Sequence, residues 1–145
     1  MRPHGQTKLG FFPLPVAEAK RLKSWLTFPE RFSALDPCVG DGVAFAHLLQ
    51  NVASHRYGIE IDAKRAEQAR AVGIETLQAN TMDVRCQPEA VSLLYLNPPY
   101  DWESGESNNQ DWNRRFWNTV IAGSRPVVCW YSSSPNCDWR NVQDC

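Results

Sequence analysis

Short apolar segments alternate with helix-forming segments between residues 30 and 100, and this alternation constrains the fold most. Strands are expected at 33–36, 56–61, 74–78 and 91–96, with helices at 43–52 and 63–72. Strands joined by helical crossovers pair in parallel, so the pattern implies an α/β sheet of doubly wound type. A further helix is expected from Pro15 to Leu26, where Val16, Ala19, Leu22 and Leu26 share one face. Pro15 suits its start, and Pro29 ends it. Open parallel sheets bind ligands outside the carboxyl ends of their strands. The polar residues at those ends, Asp36, Glu60 and Asn97, are therefore the first candidates for function.

The stretch Ser33-Ala34-Leu35-Asp36-Pro37-Cys38-Val39-Gly40-Asp41-Gly42 reads as a strand end, a glycine turn and a helix start. Gly40 and Gly42 allow a sharp bend and close approach of the backbone to a ligand. The following helix offers free N–H groups to an anionic group. The loop lacks the G-x-G-x-x-G dinucleotide fingerprint, which counts against a dinucleotide-dependent oxidoreductase. Asp36 suits an ammonium group or an ordered water better than a pyrophosphate. Glu60 ends the next strand, about 20 residues after the glycine loop, where an acid binds ribose hydroxyls in nucleotide-binding βαβ units. The plainer alternatives are an ordinary βα turn and a solvated strand end.

Asn97-Pro98-Pro99-Tyr100 follows the apolar run from Val91 to Leu96. Prolines fix φ and lack an N–H, so the carbonyls of such a turn are held rigidly. Asn97 Oδ1 and the Pro98 carbonyl can both accept hydrogen bonds from one amino group, and Tyr100 can stack on a ring. A tight turn after a strand is the plainer reading of the tetrapeptide alone.

Taken together, Asp36-Pro37-Cys38-x-Gly40-x-Gly42, Gly58-Ile59-Glu60-Ile61-Asp62 and Asn97-Pro98-Pro99-Tyr100 resemble the successive motifs of class I S-adenosylmethionine-dependent methyltransferases. The similarity is to the amino-methyltransferase branch that includes N6-adenine enzymes, and it covers residues 8–105. It implies a Rossmann-like doubly wound parallel sheet, with S-adenosyl-L-methionine as cofactor and no metal. By this resemblance Asp36, Pro37, Cys38, Gly40 and Gly42 line the methionine end of the cofactor. Glu60 takes the ribose hydroxyls, Ile61 flanks the adenine, and Asn80 stands where the family often has an adenine-facing Asp. Lys8 to Pro13, with Phe11 and Phe12, looks like the family's N-terminal cofactor-contact segment. Asn97, Pro98, Pro99 and Tyr100 form the catalytic turn. The implied reaction is methyl transfer to an exocyclic amino group, first N6 of adenine in DNA. The alternatives are RNA adenine, protein glutamine, or a non-catalytic cofactor-binding remnant.

The 145 residues suggest one domain and carry a net charge of −1, which gives no global attraction to nucleic acid. Residues 1–35 are locally basic, with Arg2, Lys8, Lys20, Arg21, Lys23 and Arg31 against Glu18 and Glu30. That face suits phosphate contacts or simple solvation. No signal peptide or membrane span is visible, so a cytoplasmic protein is expected. The five cysteines show no metal-ligand spacing.

Residues 111–145 hold four of the six tryptophans and three of the five cysteines, without a clean period. The resembled family continues there with a Gly-Gly turn and a long apolar strand. Read one base earlier, the codons around Arg125 to Ser134 are compatible with such a turn and strand. The expectation is a cofactor-binding domain over 1–110, a fold incomplete after the fourth strand, and an out-of-frame tail over 111–145. That would leave the fourth strand an exposed edge. The alternative is a genuine C-terminus in which Val127 to Tyr131 forms a short strand.

Overall fold

The computed structural model describes residues 13–52, 54–86, 90–97 and 127–130, the last of these as backbone only. In chain order the elements are α1 (Val16–Trp25), β1 (Phe32–Asp36), α2 (Val43–Leu48), β2 (Ser54–Glu60), α3 (Ala63–Ala71), β3 (Glu75–Gln78), a 3₁₀ turn (Thr81–Asp83), β4 (Leu93–Leu96) and β5 (Val127–Trp130). The strands form one parallel sheet in the order β3-β2-β1-β4-β5. The expected strands and helices all form, with ends shifted by a few residues. The second helix is the largest difference: α2 stops at Leu48, and the chain turns through Asn51 at φ 59° so that β2 can begin at Ser54.

The strand order reverses at β1. The chain first steps outward through β2 to β3, then crosses back to place β4 on the other side of β1. Side-chain alternation gives the two faces different covers. Phe32 and Ala34 of β1, with Leu93 and Tyr95 of β4, pack with Ala19, Phe45, Leu48 and Ala69 of the three helices. On the other face Leu35, Ile59, Leu94 and Leu96 pack with Met82, Val84 and Val91 of the β3–β4 connection. Such a sheet is doubly wound, and the crevice at its reversal lies between the ends of β1 and β4. On α1, Ala19 is fully buried, and Leu22 and Leu26 pack against the same core. Burying a side chain the size of Leu94 or Phe45 stabilises the fold by about 1.5–3 kcal/mol each.

A fifth strand extends the sheet at the segment for which the sequence left a short strand open as the alternative. Val127–Trp130 pairs in parallel along the whole of β4, from Leu93 opposite Val127 to Leu96 opposite Trp130. All four residues of β4 are buried. β4 is therefore an interior strand flanked by β1 and β5, not the exposed edge that was anticipated.

Candidate active site

Asp36 closes β1 on the same face as Phe32 and Ala34, and only 3% of it is exposed. In register it stands opposite Gly58, so Glu60 lies two residues further along β2 on the same side. Two carboxylates thus meet at neighbouring strand ends. Burial pushes the Asp36 carboxyl from 3.8 to about 8. The Cys38 N–H, donating to Oδ1 at 2.9 Å, opposes that rise, and the charge of Glu60 adds to it. Burial and the neighbouring Asp36 also push the Cys38 thiol upward, so it serves as a small packed residue and not as a thiolate.

The loop after β1 is fixed largely by β2. Val39 N–H donates to the Ile59 carbonyl at 3.0 Å, extending the ladder past the strand end. Gly40, at φ 59°, donates its N–H to Glu60 Oε2 at 3.0 Å. Gly42 N–H donates to the Val39 carbonyl, and Asp41 Oδ1 accepts from Val43 N–H at the start of α2.

Gly42 and Gly58 both make room for close packing. Gly42 has φ 78°, and a Cβ there would lie 2.6 Å from Ile74 Cδ1 and 3.0 Å from the Ala69 backbone. Its small size lets the loop pack against α3 and the approach to β3. Gly58, inside β2, makes room for Val39 in the same way: a Cβ there would meet Val39 Cγ1 at 2.8 Å. Neither role can be read from the Gly-x-Gly spacing.

Glu60 is 7% exposed and accepts four hydrogen bonds from the described residues. Oε2 takes the Gly40 N–H. Oε1 takes the Asp62 N–H at 2.8 Å and two donors of Arg65, Nε at 3.2 Å and Nη2 at 2.9 Å. Arg65 sits in the first turn of α3, whose N-terminus is capped by Asp62 Oδ1 accepting from Arg65 N–H. Sequence reasoning missed Arg65. A signal existed, a basic residue one helical turn after an acidic strand end, but it is too common to single out.

Ile61 follows β2 and is half exposed, at 51%, which suits a flat apolar platform. Asn80 uses Oδ1 to cap the 3₁₀ turn, accepting from Met82 N–H at 3.0 Å. The neighbouring Thr81, buried, donates its hydroxyl to the Pro37 carbonyl and ties this turn to the loop after β1. Thr81 was a second omission of the sequence reading. Asn97 is half-buried and directly follows β4. Since Leu35 stands opposite Leu94, Asn97 lies just beyond the level of Asp36 across the reversal of strand order. The structure thus gathers Asp36, Pro37, Cys38, Gly40, Gly42, Glu60, Ile61, Asn80 and Asn97 at one end of the sheet. Phe11, Phe12, Pro98, Pro99 and Tyr100 lie outside the described residues. Among the described residues no group of three His, Cys, Asp or Glu side chains is placed to hold a metal ion, and no helix is long and apolar enough to cross a membrane.

Residues 2–122 match the family described as "Uncharacterised methyltransferase family (DUF6094)". The chain belongs to this methyltransferase family. The match runs past the boundary drawn at residue 110. None of the curated proteins matches the chain in sequence. Among solved structures, a class I S-adenosylmethionine-dependent methyltransferase from Listeria monocytogenes, itself assigned as putative, is similar at TM-score 0.60 and 12% identity, over 81% of this chain and 45% of that one. An RNA methyltransferase from Salinibacter ruber in complex with S-adenosyl-L-homocysteine is similar at TM-score 0.59 and 18% identity, over 89% of this chain and 88% of that one. TrmN from Thermus thermophilus is similar at TM-score 0.54 and 22% identity, over 79% and 36%. The chain therefore spans less than half the length of the Listeria and Thermus proteins. At these identities the likeness establishes the class I methyltransferase fold.

Proposed function

We propose that this methyltransferase-family chain binds S-adenosyl-L-methionine at the ends of β1 and β2 and methylates an exocyclic amino group, N6 of adenine in DNA, in the cytoplasm. The observation that carries the reading is the placement of Asn97 directly after β4, across the strand-order reversal from Asp36 and Glu60.

The residues present fit the cofactor. Asp36 is a buried acid whose hydrogen bond among the described residues comes from Cys38 alone, so it has accepting capacity left for a positively charged group. Among the described residues Glu60 Oε2 carries one donor, Gly40 N–H, and can accept a ribose hydroxyl as well. When bound, the cofactor supplies an electrophilic methyl group on a sulfonium. In this reading Asn97 Oδ1 and the Pro98 carbonyl accept from the substrate –NH₂ and favour a more tetrahedral nitrogen. Tyr100 stacks on the ring of a base flipped from its helix. Catalysis then comes mainly from orientation.

Labelled methyl transfer to DNA, RNA and protein separates the substrate classes. RNA is the second reading, favoured by the similarity in length and fold to the Salinibacter protein. Asn97→Ala is expected to lower transfer by about 10²-fold or more while sparing cofactor affinity. Equal loss of both would refute the division of roles. The out-of-frame origin of residues 111–145 is a separate proposal. Sequencing the gene across the codons for residues 105–115 and onward tests it, and an alternative frame that encodes no fifth strand, or clear selection on the present frame, overturns it.

A further inference from the structure

We propose that Arg65 is the positioning residue for the cofactor's ribose, acting through Glu60. The inference rests on the cofactor reading above and assigns a role within that site. Glu60 is buried at the end of β2, beside the buried Asp36. Its two oxygens are treated differently. Arg65 Nε and Nη2, with the Asp62 N–H, converge on Oε1, whereas among the described residues Oε2 receives the Gly40 N–H alone. A carboxylate has about four lone-pair sites in all. Oε1 is thus saturated, and further accepting capacity is confined to Oε2.

The Arg65 side chain is itself 13% exposed and pairs with Glu60 at 2.9 Å. Its two donors, held in one rigid plane, converge on Oε1 and fix that oxygen's position, which the single flexible ammonium of lysine would do less well. It also neutralises one of two adjacent acids, so Asp36 is left as the acid that answers the cofactor's positive charge. Arg65 therefore contributes to diol binding without touching the diol.

The test is calorimetric titration of S-adenosyl-L-homocysteine and of its 2′,3′-dideoxy counterpart into the wild type, Arg65→Ala and Arg65→Lys. Circular dichroism checks that each variant is folded. Arg65→Ala is expected to weaken S-adenosyl-L-homocysteine by about tenfold or more, the loss of a charge-assisted contact. The same substitution should barely change the affinity for the dideoxy ligand, because the group Arg65 positions has nothing left to hold. Arg65→Lys should recover only part of the loss. Equal weakening of both ligands would mean a merely structural role, and unchanged or tighter binding would mean the guanidinium is idle or obstructive; each overturns the assignment. If Arg65→Ala does not fold, the Arg65→Lys comparison between the two ligands decides by the same criterion. Absence of binding to the folded wild type would instead overturn the cofactor reading, and this assignment with it.

Discussion

Replacing Asp36 by Asn should stabilise the fold at neutral pH while weakening cofactor affinity. Asn keeps an oxygen to accept the Cys38 N–H and carries no charge to bury. In the unfolded chain Asp36 ionises near 3.8; in the fold, burial chiefly, with Glu60 adding, moves this to about 8. Between those values the folded state holds a proton that the unfolded state has released. Stability therefore falls as pH rises through this window, by about 1.4 kcal/mol per pH unit. Asp36 makes its full contribution below the unfolded value and has lost it once pH passes the folded value. From about pH 5 to about pH 7 the wild type should lose about 3 kcal/mol through this residue. Asp36→Asn should be spared that loss, other groups titrating alike in both proteins. The assay is urea denaturation of both chains across this range, comparing the difference between their unfolding free energies at each pH. A difference that stays constant with pH would refute the reasoning, since it would mean that Asp36 ionises in the fold as it does in water.

Binding a cationic cofactor requires the ionised form of Asp36, so S-adenosyl-L-methionine should bind more tightly as pH rises from about 6 to about 8 and should expel a proton near neutrality. Calorimetry in buffers of different ionisation heat measures that proton, and Asp36→Asn should release none. Gly42→Ala should destabilise the fold by about 2–4 kcal/mol: Ile74 Cδ1 can swing aside, but the Ala69 backbone cannot, and φ is 78°. Gly73→Ala, at φ 85° with nothing within 4 Å of a Cβ, should cost only about 1–2 kcal/mol. Chemical denaturation of the two variants checks the contrast, and equal costs would show that packing around Gly42 is loose.

Period and punctuation along the chain determined the layered sheet, the order of strands and helices, and the three polar strand ends, because those signals are local. Helical spacing at Val16, Ala19, Leu22 and Leu26 and the apolar runs ending in Asp36, Glu60 and Leu96 need no knowledge of distant residues. The tail shows where that method runs out. Its lack of period left a strand at Val127 to Tyr131 only as an alternative, and its pairing is set by the backbone of β4 and not by any pattern of its own. Only the tertiary structure decided how the site is held: Gly40 bound to Glu60, Thr81 to Pro37, Gly42 pressed against Ala69 and Ile74, and Arg65 closing on one oxygen of Glu60. Most of these partners are brought together from separate strands and helices. Their donors and acceptors are among the commonest in proteins, so nothing in the residue types marks them. Burial is equally non-local: Asp36 becomes a reluctant acid because two strands and a loop exclude water around it, which the letters Asp-Pro-Cys do not state.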